Sequence, residues 1–270
     1  MKEFATKEEL FRYVKDNRDI LIAEKKSAMK MGDIVIFGSE IEKRLDASKE
    51  ENGISETPNL KVKAVINTTN LFDSHYDVHI PGLWNKTLKD RRKTYHLQEH
   101  KMKFDHIITD KVIASAKMMN WSDLGFNFAG QTQALIFDSE IEKSRNEYMY
   151  EQYLKGYVDN HSVGMQYVTL FMCINSEDRY YREEKENWDK YYSVVANKKE
   201  LDEVGFFWAV TEAKLIEGSA VPIGSNYATP TLSVKEPSND THKDSRESTI
   251  DLEEFKNEFS NKLKQLWTKN

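Results

Sequence analysis

Cysteine is nearly absent: Cys173 is the single one among 270 residues, so no internal disulfide and no cysteine-based zinc site can form. That usage fits a reducing, intracellular setting. Cys173 lies in the apolar run 170–174, which reads as a buried inert thiol rather than a nucleophile. Long apolar runs are lacking as well. No stretch approaches the ~20 residues of a membrane span, and the first residues lack the basic-then-apolar order of a signal peptide. A cytoplasmic chain without a membrane partner is therefore expected. There is no basic excess either, since the net charge is -6, which argues against general nucleic-acid binding. Walker-type, dinucleotide and kinase motifs are missing, and no cofactor is expected.

Charge of both signs is plentiful, at 31% of residues beside 39% hydrophobic ones. That balance suggests solvated helices or tails attached to a domain with a real core. Thr6 and Glu9 form a capping box, opening a helix that carries Leu10, Val14 and Leu21 toward residue 31. With the polar stretch 48–58 behind it, residues 1–58 read as a helical N-terminal arm. From Leu60 the alternation of Leu60, Val62, Ala64 and Ile66 is that of a half-buried strand. Further strands are expected at 94–99, 112–118 and 205–221, a hairpin over 126–137 turning at Gly130, and a short basic helix at 83–93. Residues 176–204 form a charged insertion containing Trp188, Tyr191 and Tyr192. Beyond the main domain, 59–234, a polar linker at 235–249 precedes an amphipathic tail helix at 250–270. The fold class expected is mainly β with peripheral helices (α+β), built as a small β-barrel or sandwich.

The stretch 156–167 carries the chemical interest. A helix over 138–155 would end at Gly156, and the Val-, Tyr- and Thr-rich run 157–173 then reads as a long strand with Ser162 near its start. A serine nucleophile needs a base and a group that orients the base. Seven histidines are available. His242 falls in the linker, and His161, next to Ser162, would face the other way in a strand. His96 and His100 share a face if their strand continues, and His106 follows in a loop. His75 and His79, with Asp73 and Asp77, could suggest a metal site. Tyr76, however, stands where the two-histidine protease motif has its glutamate, and Pro81-Gly82 opposes a helix, so no metal is expected.

Four blocks in order carry a resemblance: Asp73 to Asp77 leading into Pro81, Gly82 and Trp84; Tyr95 to His100; Tyr153 to Gly156 followed by Ser162, Val163 and Gly164; and Leu215, Glu217, Ser219 and Pro222 to Asn226. Together, over 60–234, they resemble the prohead maturation proteases of tailed bacteriophages, which are similar to the herpesvirus assemblin proteases. The resemblance implies a barrel of herpesvirus-protease type and a serine endopeptidase that processes scaffold, major capsid protein and itself within an assembling prohead in the host cytoplasm. It implies Ser162 as nucleophile, His100 as base and Glu217 as third member. The backbone amides of Val163 and Gly164 are oxyanion candidates. It also allows a homo-oligomer. Lys101 follows His100 where the family usually has Asp or Asn, so His96 and His106 stay open as the base. A noncatalytic capsid scaffold or assembly chaperone on the same fold is the alternative.

Overall fold

A computed structural model describes residues 4–27, 58–90 and 92–236. The tail helix, the linker beyond residue 236 and the arm's segment 28–57 lie outside the described residues. Thr6 Oγ1 accepts from the Glu9 N–H at 3.2 Å and Glu9 Oε2 accepts from the Ala5 N–H at 2.9 Å, which satisfies two orphan donors at the first helix start. The single helix expected here is two, α1 (Lys7–Asp16) and α2 (Arg18–Ser27), with Asn17 capping α1 and donating from Nδ2 to the Tyr13 carbonyl at 2.8 Å.

The strands form two sheets. In chain order they are β1 (Leu60–Thr68), β2 (Asp77–His79), β3 (Tyr95–Gln98), β4 (Ile107–Thr109), β5 (Val112–Asn120), β6 (Gln131–Ile141), β7 (His161–Ile174), β8 (Phe206–Ala220) and β9 (Thr231–Lys235). One sheet runs β5-β6-β1-β9 and is antiparallel throughout. The other is organised on β8, which pairs antiparallel with β7 along nearly its whole length and parallel with β2 and β3 at its two ends. Residues 138–141, expected to start a helix, instead complete β6 by pairing with β1, and α4 is the shorter Glu147–Leu154. Between β2 and β3 the short basic helix is α3 (Asn85–Lys89).

Helix and strand each take roughly a third of the described residues, so the class is mixed α/β. Among those residues both sheets are open and no barrel closes, which corrects the barrel expected from the sequence. Closure needs every edge strand to find a second partner. β7 instead has helices packed beside it, and β5 leaves Ile113 and Met118 exposed. The charged insertion supplies one of these helices. In α5 (Arg182–Tyr191), Trp188 meets Phe207 edge-on at 5.3 Å and Tyr191 stacks on Phe171 at 5.9 Å. The helix buries Glu184, which accepts from Lys15 of α1 at 2.6 Å, tying the arm to the body. The short α6 (Lys198–Val204) then returns the chain to β8.

The sheets face each other where β8 carries Gly218. A methyl group there would overlap the Phe137 ring of β6 and lie 2.9 Å from Ile66 Cγ2 of β1. Overpacking of such a contact costs about 1–3 kcal/mol. We expect Gly218→Ala to lower the unfolding free energy by that amount in urea titrations; an unchanged midpoint would mean the sheets do not meet here.

Candidate active site

Three sequence-distant segments converge on the β7–β8 pair. The register sets Ser162 opposite Ser219 and Gly164 opposite Glu217, so their side-chain positions share one face. β3 pairs with the other edge of β8 and ends level with it, Leu97 opposite Ser219 and Gln98 opposite Ala220. The chain then turns through Glu99 and His100 at φ +52° and +56°. Two consecutive left-handed non-glycine residues cost about 1–2 kcal/mol each, and the turn is held by neighbours that compensate. The Glu99 N–H donates to the Ala220 carbonyl at 2.9 Å, and the His100 N–H donates to Ser219 Oγ at 3.1 Å.

That turn swings the His100 ring over Glu217. Nδ1 lies 2.6 Å from Glu217 Oε1, and Ser219 Oγ donates to the other carboxylate oxygen at 2.6 Å. A carboxylate only accepts, so the His100 proton sits on Nδ1 and the pair is a charge-assisted hydrogen bond. The opposing Nε2 is buried without a partner among the described residues. Gly164 explains how the carboxylate fits, since any Cβ at that position would overlap it. Gly164 therefore makes room for Glu217, while Val163 lies beside Ser162 in the neighbouring cleft.

Ser162 is buried, and its hydroxyl makes no hydrogen bond to the described residues. No hydrogen bond joins Ser162 Oγ to His100 Nε2. Ser162 borders a small cleft, with room of about 20 Å³, whose walls include Asn67, Asp73, His75, Tyr167 and Asn226. Behind the cleft, Tyr167 Oη donates to Asp77 Oδ2 at 2.7 Å and Lys25 of α2 pairs with Asp77 Oδ1 at 2.6 Å. Burial, and then the neighbouring Asp77, push the Asp73 carboxyl up to about 6. Asp73, His75 and Asp77 can each offer one ligand atom within 4.8 Å of the others, which makes them the group that could hold a cation, although Lys25 already neutralises Asp77.

The other candidate bases are placed differently. His106 sits near the surface with Nδ1 2.8 Å from Asp105. His96 is engaged at both nitrogens, with Ser139 Oγ at Nδ1 and Tyr153 Oη at Nε2, each at 3.0 Å. Tyr153 Oη also meets His161 Nε2 at 3.0 Å, and His161 Nδ1 donates to the Thr229 carbonyl at 3.0 Å. His96 and His161 are thus members of a satisfied internal network. Sequence reasoning gave Ser219, which holds Glu217, no role of its own.

Comparison with protein-family models, curated proteins and solved structures finds no match, leaving the site to be read from its own chemistry.

The histidine network sets a pH dependence. Burial pushes His161 down to about 4, and burial with the nearby His161 holds His96 well below the usual histidine range. The unfolded chain then binds more protons between about 6.5 and 4, so this stabilisation is full above 6.5 and lost as pH falls. His161 alone corresponds to about 3 kcal/mol. We expect urea unfolding free energies to drop over that window in the wild type and to drop less in His161→Gln; equal slopes in the two proteins would contradict the assignment.

Proposed function

We propose that this chain is a serine endopeptidase with Ser162 as nucleophile, His100 as base and Glu217 as its orienting carboxylate. One observation carries the reading: a buried imidazole, fixed at Nδ1 by Glu217 at 2.6 Å, keeps its other nitrogen unpartnered on the sheet face that holds an unpartnered serine. In the reaction the Ser162 hydroxyl forms a bond to the scissile carbonyl carbon and its proton passes to His100 Nε2. The carbonyl π pair moves onto oxygen. When the intermediate collapses, the C–N bond breaks and Nε2 returns the proton to the leaving amine. Water then repeats the sequence on the acyl-enzyme, with the same imidazole taking and returning its proton. Glu217 holds the tautomer and stabilises the transient imidazolium, and Ser219 holds Glu217.

The biological setting is part of the same proposal and rests on the ordered blocks from Asp73 to Asn226. They suggest a prohead protease acting on scaffold, major capsid protein and its own chain inside an assembling shell. Kinship with the assemblin fold belongs there too, and it draws on the order of the blocks rather than on a closed barrel.

The test is cleavage by purified protein, of itself and of co-expressed scaffold, followed by mass spectrometry. We expect Ser162→Ala and His100→Ala to lose cleavage by at least about 10³-fold, with Glu217→Gln also severely impaired. A wild-type cut between residues 234 and 252, a stretch that lies outside the described residues from 237 on, should be missing in Ser162→Ala. Full cleavage by Ser162→Ala would remove the protease reading and leave the scaffold or chaperone role.

A further inference from the structure

Among the described residues, β5 ends its sheet and pairs along one side only, with β6. The outward N–H and C=O groups of an edge strand can template another chain, so native edges are kept short, bulged, charged, broken by proline or covered. The other sheet ends follow that rule. β2 and β4 have three residues each and β9 has five. β7 is long, but α5 packs beside it and Asn187 Nδ2 of that helix donates to the Met172 carbonyl at 3.1 Å. β5 differs on each count. Its nine residues contain no proline or glycine and one charge, Lys117. Its register runs from Val112 opposite Ser139 to Asn120 opposite Gln131 without a shift, whereas the β1–β6, β1–β9 and β7–β8 ladders are all interrupted. α3 approaches β5, but a helix does not complete a ladder. Both faces of the strand carry apolar rows. Val112, Ala114 and Ala116 pack on the main core, and Met118 continues that row 51% exposed. Met119 packs on the second cluster, and Ile113 continues its row 72% exposed.

We infer that β5 pairs with β5 of a second copy of this chain, antiparallel about a two-fold axis through Ala116, which joins two four-stranded sheets into one. The strand's own sequence selects that occupant. A two-fold axis normal to the sheet keeps each face on its own side, so a residue meets one of the same face across the axis. Centred on Ala116, all nine positions pair: Ile113 faces Met119, Ala114 faces Met118, and Lys117 faces Ser115. Each exposed apolar side chain then gains an apolar partner, and no like charges stand opposite. Centring on Lys117 instead would set lysine against lysine. The pairing uses up both free edges, so assembly stops at two copies. Nothing in it depends on the chemistry at Ser162.

The test uses the full chain carrying Ser162→Ala, so that self-cleavage does not change its mass. Sedimentation should give the mass of two chains. Ile113→Lys/Met118→Lys alters two exposed positions and brings a lysine diagonal to the partner's Lys117; with folding checked by circular dichroism, it should weaken the dimer at least about 10-fold. The register is read by cross-linking. Opposite residues in an antiparallel pair have Cα atoms about 4.5–5.5 Å apart, within disulfide reach, so Ala116→Cys should link two chains under mild oxidation. Ile113→Cys lies about 20 Å from its own copy and should not. The native Cys173 is buried and does not confuse the result. A single-chain mass at every concentration would overturn the inference and leave the edge to a strand of another kind. A dimer as tight in the double lysine variant, or one linked equally well through Ile113→Cys, would overturn it too and assign association to another surface or register.

Discussion

The antiparallel register of β7 on β8 is the constraint from which the site follows. It sets Ser162 against Ser219 and Gly164 against Glu217, and a one-residue slip would send each of these to the opposite face. The register is pinned from outside the site. Gly218, between Glu217 and Ser219, faces Phe137 and Ile66 of the opposite sheet, so the glycine packs inward while its two neighbours point to the face that carries Ser162. β3 adds to the other edge of the same strand and delivers His100 from a turn that ends level with Ser219. A single strand, β8, thus provides the carboxylate, the serine that holds it, and the edge that places the histidine.

The buried polar groups divide by whether they are satisfied. The His96–Tyr153–His161 network closes on itself through Ser139 and Thr229, and burial keeps its imidazoles neutral. Such a network specifies packing. His100 Nε2, by contrast, is buried without a partner among the described residues, beside the β8 carboxylate that shares a sheet face with Ser162. Together with two consecutive left-handed residues at Glu99 and His100, it represents a cost of a few kcal/mol held in the folded chain.

Much of this was legible in the sequence because its signals are local. The capping box at Thr6, the alternation from Leu60 and the Val- and Tyr-rich run after Gly156 each name an element from neighbouring residues. Where tertiary pairing overrides local preference, the reading failed. Residues 138–141 carry no strong strand signal, yet β1 recruits them into β6. Whether sheets close or stay open depends on which edges helices cover, and no short window encodes that. At the site, His100 and Glu217 could be nominated by resemblance, but their proximity depends on β3 pairing in parallel with β8 across more than a hundred residues.

The central claim is that Ser162 is a nucleophile activated by His100, and covalent labelling tests it most directly. A fluorophosphonate probe, incubated with the full chain and followed by peptide mass spectrometry, should place one adduct on Ser162 at a rate that falls steeply in His100→Ala. Labelling at other serines only, or equal Ser162 labelling in His100→Ala, would contradict the account.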